Sequence, residues 1–581
     1  MNYTNAFAEI LSEYTDLPVA ELVGSISVPQ DASMGHLAFP CHTLAKTWKK
    51  APPLIAHELA ECINEKKHPA WINEAVATGP YLNIFFNRAV YADVVLLEVL
   101  EAGVEFGTRN QGDGKNVIVE YSSPNIAKHF HVGHLGTTII GKCLDNIYRF
   151  LGYNVTSINH LGDWGTQFGK LITAYLKWGS KEEIEKTEID GLLKLYVRFH
   201  EEADKDESLN EQARSWVLKM QDGDKESLEI WQWFIDLSMR EFNRIYERLG
   251  VQFDLVRGES YYNKVIDRVP VILREKGLLT ESEGAQIVDL KEYGMPPCMI
   301  LRTDGGTLYA TRDIAAALDR HETFNFDKCL YVIGNEQSLY FAQWKKVMEL
   351  AGFEWASELH HVSYGLFLFE EGKVSTRRGH VIKMEDLLED SVAKTLAIIN
   401  EKNPDLWNKE AVAEQVGIGA LVFNKLYNSR RKDTLFDWKR MLNFDGETGP
   451  YVQYAHARAC SVLRKALSGD SNRDFGDMAL AMISGGTFEG DCLVEDEAFE
   501  VLRLLHDFPN RVEDAAEKYE PYIISRHLVS IAHAFNAFYH NHIILIEDEP
   551  TRRARLVLTA AVRQVLKTGL GLLGIAAPAV M

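Results

Sequence analysis

The sequence predicts a multidomain α/β protein whose centre is a Rossmann-like, doubly wound parallel sheet, with a small α/β domain before it and helices after it. The first observation is an uninterrupted apolar strand at 116–121 followed by a helix and a second strand, which is the pattern of a βαβ unit. The second is mixed helical and strand periodicity in the first 110 residues. The third is a succession of helical patterns from about residue 410.

The bulk composition indicates a large globular protein. The 581 residues are 46% hydrophobic and 25% charged, and 62 basic against 83 acidic residues give a net charge of −21. An acidic protein does not bind nucleic acid by bulk charge, although local basic patches are sufficient for RNA, whose phosphate contacts are local. We therefore expect no DNA partner, and any RNA must be bound through local patches.

Cysteine spacing and hydropathy predict the compartment. The seven cysteines include no CxxC pair and no Cys/His cluster, so we expect reduced thiols and no protein metal site. No apolar run approaches the roughly 18 residues that cross a bilayer, and the N-terminal residues contain no apolar signal core. These features predict a cytoplasmic protein without a membrane partner, and we expect a monomer.

Changes of pattern along the chain predict three domains. The first, 1–110, contains a strand at Tyr81–Phe86 and ends in a polar, glycine-containing linker. The second, 111–410, is the sheet domain, with further strands at Lys328–Ile333 and His361–Phe367 and a charged helical insertion near 179–250. The insertion has an apolar stripe at Leu228, Trp231, Ile235, Phe242, Ile245 and Leu249. The third domain, 411–581, is helical throughout.

The βαβ unit predicts where the functional site lies. Its first strand is Asn116–Tyr121, its helix follows apolar positions from Leu135 to Leu151, and its second strand is Asn154–His160. In a doubly wound sheet, ligands bind beyond the carboxyl ends of the strands. The turn that leaves the first strand, SSPNIAKHFHVGH at 122–134, therefore predicts the functional site.

Two histidines in this turn are candidates for phosphate chemistry. Gly133 separates His131 from His134, and a glycine at a helix start lets the backbone approach an anion that the free N–H groups favour. Imidazoles three residues apart can both donate to a five-coordinate phosphate, and one such donor contributes roughly 3–4 kcal/mol in a dry site. Two structural histidines at a helix cap would show the same pattern, but the position after a buried strand favours the phosphate site.

These residues resemble a known family. HVGH is similar to the HIGH motif of class I aminoacyl-tRNA synthetases, and EYSSPNIAKHFHVGHLGTTIIG with HLGDWGTQFGKL resembles the arginyl-tRNA synthetases in particular. The resemblance continues through LYATRDIA (308–315), YVIGNEQSLYFAQ (331–343), KVSTRRGHVI (373–382) and YVQYAHARACSVLRK (451–465). It implies a catalytic domain with a HIGH-type motif, an N-terminal tRNA-contacting domain and a C-terminal anticodon-binding region from about residue 447.

The resemblance also implies an activity. The expected enzyme is a class I arginine–tRNA ligase that activates L-arginine with ATP and Mg²⁺ to arginyl-adenylate, and then transfers arginine to the 2′-hydroxyl at the 3′ end of tRNA(Arg). The family suggests that tRNA binds before activation. Two alternatives remain open, namely another ATP-dependent adenylate-forming ligase on the same fold and a non-catalytic tRNA-binding paralogue.

Position by position, the resemblance implies a set of site residues. The catalytic residues would be Lys128, His131, His134 and Lys373, and Gly133, Ser375 and Arg377 would join them around ATP. The arginine-binding residues would be Glu120, Ser123, Asn125, Tyr309, Asp313 and Gln337. The tRNA-binding residues would be Asn83, Phe86, Tyr451, Tyr454, Arg458 and Met581.

Physical chemistry supports parts of this set. A guanidinium presents five donors in one plane and binds carboxylates in a bidentate manner, and Tyr309 stands one helical turn before Asp313, on the same face. Aromatic and guanidinium planes suit unstacked bases. Each residue also has an ordinary interpretation: Asp313 as a structural carboxylate, Glu120 as a water-facing strand end, Lys128 as a solvent-facing loop lysine, and the tyrosines as core.

Two positions depart from the family pattern. Gly136 stands where an arginine usually follows the HIGH motif, which removes a cation and costs roughly 1 kcal/mol of helix propensity. Thr376 stands where the KMSKS loop has its second lysine. In arginyl enzymes a lysine ahead of the first histidine is expected to substitute for it, and Lys128 holds that position.

Overall fold

The structure is a computed structural model that describes residues 2–29, 31–66, 68–369, 372–373, 382–467, 475–485 and 488–581. The chain forms two compact units. Unit 1 comprises residues 1–106, 458–507 and 530–566, and unit 2 comprises residues 107–457, 508–529 and 567–581. Each unit combines separate stretches of the chain, so the two units do not test the three predicted domains. The three-domain division remains a prediction.

The strands of the described residues are short. They are β1 (Leu37–Pro40), β2 (Ile72–Thr78), β3 (Tyr81–Phe86), β4 (Asn116–Glu120), β5 (Asn154–Asn159), β6 (Leu255–Val256), β7 (Leu279–Ser282), β8 (Ala285–Val288), β9 (Cys298–Leu301), β10 (Lys328–Tyr331), β11 (Leu359–His361), β12 (Phe367–Phe369), β13 (Gly372–Lys373) and β14 (Thr434–Leu435).

Helices account for most of the described chain. They are α1 (Tyr3–Ser12), α2 (Val19–Ser25), α3 (Ala45–Trp48), α4 (Pro52–Glu65), α5 (Arg88–Ala102), α6 (Leu135–Phe150), α7 (Thr166–Trp178), α8 (Lys181–Ala203), α9 (Ser208–Gln221), α10 (Lys225–Arg248), α11 (Asn263–Ile266), α12 (Arg268–Glu275), α13 (Tyr309–Phe324), α14 (Ser338–Leu350), α15 (Met384–Lys402), α16 (Lys409–Leu426), α17 (Trp438–Met441), α18 (Gly449–Ala466), α19 (Phe475–Ser484), α20 (Asp496–Lys518), α21 (Tyr522–Asn541) and α22 (Glu549–Leu572). Within these residues, no helix is long and apolar enough to cross a membrane.

Unit 1 contains a three-stranded antiparallel sheet in the order β1–β3–β2. Its core is aromatic: the rings of Phe86 and Tyr91 stack with centroids 5.2 Å apart, and Tyr3 lies edge-on to Trp71 at 5.3 Å. Aromatic rings bury large apolar areas, so a small sheet with one helical layer gains a sizeable core from few residues. The predicted strand Tyr81–Phe86 is confirmed.

Unit 2 contains the predicted parallel sheet. Its five strands lie in the order β11–β10–β4–β5–β6, and all four pairings are parallel. The chain runs from β4 outward to β6 and then continues on the other side with β10, so the topological switch point lies between β4 and β10. Val117, Ile118 and Val119 are almost completely buried, which explains why β4 reads as continuous apolar sequence. The doubly wound fold is confirmed.

Helix α6 packs very closely on the end of β4. A Cβ atom at Gly141 would lie 2.1 Å from the Cβ of Tyr121, so only glycine fits at this contact. The close approach fixes where α6 begins relative to the strand end. The residues 131–134, which precede α6, are therefore held at the carboxyl edge of the sheet.

Most predicted elements are present, and one is wrong. Helices α8 to α10 occupy 181–248, inside the predicted insertion. The predicted strand His361–Phe367 is instead β11 followed by an irregular stretch and β12. The reason is local: the N–H of Gly365 donates to the Arg430 carbonyl at 2.8 Å, and a Cβ at Gly365 would lie 2.5 Å from the carbonyl carbon of Lys432. This segment binds residues 430–432 rather than a neighbouring strand.

Candidate nucleotide and amino-acid site

The site lies at the switch point, where Thr137 joins three elements. Its hydroxyl donates to the Val332 carbonyl after β10 at 2.7 Å and accepts from the N–H of Ser122 after β4 at 3.0 Å. Thr137 is in the first turn of α6. The ends of β4 and β10 and the start of α6 therefore meet at one buried hydroxyl, which is the edge where doubly wound sheets bind ligands.

The turn after β4 has an unusual backbone. Ser122, Ser123 and Ala127 have φ values of 70°, 49° and 60°, a left-handed conformation that costs non-glycine residues about 1–3 kcal/mol each. The surrounding structure holds it: the N–H of Ser123 donates to Asn159 Oδ1 at 3.2 Å, and that of Ile126 to the Gly162 carbonyl at 3.1 Å. Strain of this kind persists where a site needs a defined backbone path.

Helix α10 of the insertion supports the same turn from one side. The hydroxyls of Tyr246 and Ser122 are 2.8 Å apart, and Ser238 Oγ accepts from the N–H of Ala127 at 2.9 Å. Glu241 Oε1 accepts from the N–H of Phe130 at 3.1 Å. The three supporting side chains come from one helix, so the insertion is part of the site's framework.

The two histidines are held in one tautomer. His131 Nδ1 accepts from the N–H of Gly133 at 3.0 Å, and His134 Nδ1 accepts from the N–H of His131 at 3.2 Å. Burial lowers the pKa of His131, and it lowers that of His134 to about 3; in both cases the nearby Lys128 charge lowers the pKa further. Both rings are therefore neutral at pH 7, and each carries its proton on Nε2 as a donor for a ligand.

Gly133 is required by the ring of His131. A Cβ at position 133 would lie 2.6 Å from Cε1 and 2.8 Å from Nδ1 of that ring. The prediction from the sequence is that a glycine at this position lets the ligand approach the backbone closely. The structure adds a second reason, because a larger residue would displace the imidazole.

Carboxylates with raised pKa values lie near the ends of the same strands. Burial raises the pKa of Asp313 to about 7; the hydroxyl of Tyr340, which donates to this carboxylate, lowers it, and the charge of Glu120 raises it. Burial likewise raises the pKa of Glu259 to about 7, with the charge of Asp313 acting in the same direction. Carboxylates that resist ionisation together gain most from a bound cation.

Glu120 already has an internal partner. Its Oε2 atom lies 2.5 Å from Nη1 of Arg320, whose side chain is fully buried. The prediction that Glu120 contacts arginine stays a prediction, but the ordinary interpretation as a water-facing carboxylate is wrong. Sequence reasoning missed Arg320, Tyr340 and Glu259. Of these three residues, only Arg320 could have been found from the sequence pattern, because it lies two helical turns after Asp313 on α13.

Comparisons with known proteins identify the family. The family model described as "tRNA synthetases class I (R), catalytic domain" matches residues 96–438. Models described as the arginyl tRNA synthetase N-terminal domain and the DALR anticodon binding domain match residues 1–86 and 452–581. The arginine–tRNA ligase of Halothermothrix orenii is 50% identical over 98% of this chain and 98% of its own length. The chain belongs to the arginyl-tRNA synthetase family.

Other relatives agree with this assignment. The arginine–tRNA ligase of Clostridioides difficile is 48% identical over 97% of this chain and 96% of its own length. The arginyl-tRNA synthetase structure from Thermus thermophilus matches with a TM-score of 0.76 and 26% identity over 96% of both chains. The structure of the Plasmodium falciparum enzyme, at 22% identity, has the same fold, with a TM-score of 0.75 over 96% of this chain and 94% of that one. The predicted family and fold are confirmed.

The remaining positions implied for the two small substrates differ in exposure. Asn125 lies against Gly162, and Ser123 lies in the strained turn. Tyr309 begins α13 and is 71% exposed, and Gln337 is exposed at the end of the short helix after β10. Lys373 pairs through its backbone with Leu368, whereas Ser375, Thr376 and Arg377 lie outside the described residues.

Gly136 stands where the ring of Tyr364 leaves no room for a side chain. A Cβ at Gly136 would lie 2.8 Å from Cε2 and 2.9 Å from Cδ2 of Tyr364. The backbone of Tyr364 is fixed, because its carbonyl accepts from the N–H of Asn335 at 2.9 Å. In this synthetase the aromatic ring fills the space that a side chain at position 136 would need.

The implied tRNA-binding residues of unit 1 are largely buried. Asn83 is 2% exposed and Phe86 is 9% exposed. Phe86 packs on Tyr91 and His36, so it belongs to the aromatic core and is not an open stacking platform. It also lines a cavity of about 860 Å³ with Phe85.

The implied tRNA-binding residues toward the C-terminus vary in exposure. Tyr454 is 38% exposed, and Tyr451 is half-buried. In unit 1, Arg458 donates to Asn536 and lies 4.9 Å from the ring centroid of Tyr539. In unit 2, the carbonyl of Met581 accepts from Asn403 at 3.3 Å. Only Tyr454 presents a large exposed aromatic face.

Replacing Gly133 by alanine is expected to lower ATP–pyrophosphate exchange about 100-fold, because the new methyl group displaces the His131 donor. Exchange with saturating arginine and tRNA measures the effect. Gly571→Ala is the matched control, since a Cβ there meets nothing within 4 Å. Unchanged exchange in Gly133→Ala would show that the His131 ring is not needed where the structure places it.

Proposed function

We propose that this chain is an arginine–tRNA ligase. It activates L-arginine with ATP to arginyl-adenylate and then transfers the arginyl group to the 2′-hydroxyl at the 3′ end of tRNA(Arg). The observation that supports this most is that the turn after β4 presents two neutral Nε2–H donors, while burial and the charge of Glu120, the last residue of β4, raise the pKa of Asp313, a carboxylate that resists ionisation. The first group suits a phosphate, and the second suits a guanidinium.

The activation step needs no protein nucleophile. A carboxylate oxygen of arginine attacks the α-phosphorus of ATP, and the bond to the bridging oxygen breaks to release pyrophosphate. Negative charge accumulates on the α-phosphate oxygens, where the Nε2–H groups of His131 and His134 donate. Neutral imidazoles placed in advance stabilise this charge without reorganisation. The protein therefore acts by positioning and electrostatics.

The leaving group is assigned to lysines. The ammonium of Lys128 is close enough to lower the pKa of His131 and His134, so it can reach the same phosphates. Lys373, in β13, would act from the other side, with Ser375 and Arg377 shaping its loop. Among the described residues there is no cluster of three or more potential metal ligands, and we assign Mg²⁺ to the nucleotide.

The arginine substrate would be read by its guanidinium. Asp313 and Tyr309 on α13 and Glu120 at the end of β4 would surround that plane, and Ser123, Asn125 and Gln337 would hold the amino and carboxylate end. A buried carboxylate left unpaired by a wrong side chain is costly, which allows a discrimination of roughly 10⁴–10⁵. The Arg320–Glu120 ion pair would fix the floor of this slot.

Contact with tRNA is assigned to the two ends of the chain. Residues 1–110 would contact the tRNA elbow, and the helical region within 411–581 would read the anticodon through Tyr451, Tyr454, Arg458 and Met581. The exposed ring of Tyr454 is suited to stacking on an unpaired base. We also propose that the enzyme acts as a monomer in the cytoplasm.

Purified protein incubated with ATP, total tRNA and each amino acid in turn is expected to form aminoacyl-tRNA with arginine alone. The reason is that only a guanidinium presents a planar fork of donors that can bind carboxylates in a bidentate manner. Adenylate formation without transfer to tRNA would instead indicate a ligase for a small acceptor. Binding of tRNA without either reaction would indicate a non-catalytic paralogue.

The change Lys128→Ala is expected to reduce arginine-dependent pyrophosphate exchange about 100-fold while arginine binding stays unchanged, because the ammonium contacts phosphate only. Stopped-flow or filter-based exchange in the presence of tRNA gives the rate. Lys225→Ala on α10 is the control, since that side chain is 90% exposed and its ion pair, with Glu229 at 3.6 Å, lies on the same helix. A near-normal rate would exclude Lys128 from the reaction.

Arginine binding is expected to weaken as the pH falls below 7. The pKa of Asp313 is raised to about 7, so at lower pH its carboxyl is protonated and offers no charge to the guanidinium. The dissociation constant should then rise about tenfold per pH unit and stay level above pH 8. Calorimetric titrations from pH 5.5 to 8.5 measure it. The variant Glu259→Gln removes the second carboxylate, so that the remaining pH dependence can be attributed to Asp313. A dissociation constant that does not change with pH in the unaltered protein would contradict the assignment of Asp313 to the guanidinium.

A further inference from the structure

The helical insertion places two further carboxylates beside the HVGH turn. His129 Nε2 lies 2.9 Å from Asp190 Oδ1 on α8, and His129 Nδ1 lies 3.2 Å from Glu241 Oε2 on α10. A carboxylate can only accept, so both ring nitrogens donate and the ring is an imidazolium. Burial lowers the pKa of His129, but the hydrogen bonds and charges of Glu241 and Asp190 outweigh it, and the pKa is raised overall.

A second cation shares the same carboxylate. Lys383 Nζ lies 3.1 Å from both oxygens of Asp190. The charged groups around His129 are therefore Asp190 from α8, Glu241 from α10 and Lys383 from the segment before α15. The lysine opposes the imidazolium charge, and Asp190 holds the two cations together.

The backbone segments at these two cations, 130–132 directly after His129 and 382–384 around Lys383, are also hydrogen-bonded to each other. His131 and Lys383 form an antiparallel bridge. The N–H of Val132 donates to the Ile382 carbonyl at 3.2 Å, and the N–H of Met384 donates to the Phe130 carbonyl at 2.9 Å. Residues 382–384 thus run directly alongside 130–132. The carboxylate of Asp190 in turn binds the side chains of His129 and Lys383, one at each segment.

A kink in α8 sets the position of Asp190. Glu188, two residues earlier, has φ 46° inside the helix, a left-handed conformation that a glutamate adopts only under constraint. Its carboxylate accepts from Arg244 on α10 at 2.9 Å. The kink is therefore tied to the helix that also supplies Glu241. Asp190 is 56% exposed, yet its backbone is fixed by this arrangement.

We propose that Asp190 is a positioning residue for arginine activation, which sets His131 against the segment Ile382–Met384 by binding His129 and Lys383 at once. It touches no substrate and acts through His131. An exposed ion pair contributes only about 0–1 kcal/mol to stability, so the fold does not depend on it. The inference rests on the proposed function in one respect, namely that His131 donates to the α-phosphate.

The consequence is a rate effect separate from arginine binding. The arginine slot is formed by α13 and the end of β4, whereas Asp190 acts on the segment around His131. Asp190→Asn keeps an oxygen acceptor but removes the charge that holds two cations. A displacement of a catalytic donor by about 1 Å can lower the rate about 100-fold. Loss of the Asp190 charge is expected to displace His131 by less than this, and so to lower the rate by less.

The test is arginine-dependent pyrophosphate exchange with tRNA present. Asp190→Asn is expected to lower kcat about tenfold and to leave the KM for arginine unchanged. Lys383→Met should give a similar loss, and the double variant should lose no more than either single one, because coupled residues are not additive. Glu202→Gln is the matched control on the same helix, since that residue forms a local ion pair with the exposed Lys205, three residues away.

The pH profile distinguishes positioning from a merely structural role. The unaltered enzyme should lose activity as the pH rises through the raised pKa of His129, where the imidazolium is lost. Removing the Asp190 charge lowers that pKa, so this alkaline limb should move to lower pH in Asp190→Asn. Unchanged kcat and an unmoved limb in Asp190→Asn would overturn the proposal, and so would a loss confined to the KM for arginine. Absence of exchange in the unaltered protein would instead contradict the proposed function.

Discussion

The site depends on one buried hydroxyl, that of Thr137, which binds the carbonyl after β10 and the N–H after β4. At a switch point the connections that leave the two strands run to opposite sides of the sheet, and the gap between these connections is where a ligand enters. Thr137 fixes the width of that gap at the start of α6. The turn that carries His131 and His134 leads directly into α6, and Glu120 ends β4, so both are anchored close to this hydroxyl.

Charge in this enzyme is arranged by burial more than by direct pairing. Buried imidazoles stay neutral and become donors, while buried carboxylates hold their protons more tightly and await a cation. Direct pairing also occurs, as in the Glu120–Arg320 pair, in which an internal guanidinium compensates a carboxylate. Removing one partner of such a buried pair is expensive, so Glu120 and Arg320 are expected to hold each other in place.

What could be predicted from the sequence follows from local pattern. The run Val117–Val119 is buried on both faces, so its apolar letters identify a parallel strand without ambiguity. Tyr309 and Asp313 are one turn apart, and HVGH is contiguous, so their proximity needs no tertiary information. The fold and the neighbourhood of these residues along the chain could therefore be predicted, whereas their roles in binding stay predictions.

The remainder depends on partners far apart in the chain. Ser238, Glu241 and Tyr246 support a turn more than a hundred residues earlier, and they are polar, so a search for apolar periodicity found Phe242 and Ile245 but passed over them. Arg320 reaches Glu120 across two hundred residues. The irregular stretch at Gly365 and the burial of Phe86 were missed because their causes, Lys432 and a surrounding aromatic cluster, leave no mark on the local sequence.

The contact between Gly136 and Tyr364 has a consequence for sequence change within the family. A ring that occupies the space beside one residue ties the two positions together, so a single substitution at 136 meets a steric barrier that a paired substitution avoids. A bulky residue at position 136 would therefore need a displaced or smaller side chain at position 364. The two positions stand far apart in the chain and yet share one space, so each limits which residues the other can hold.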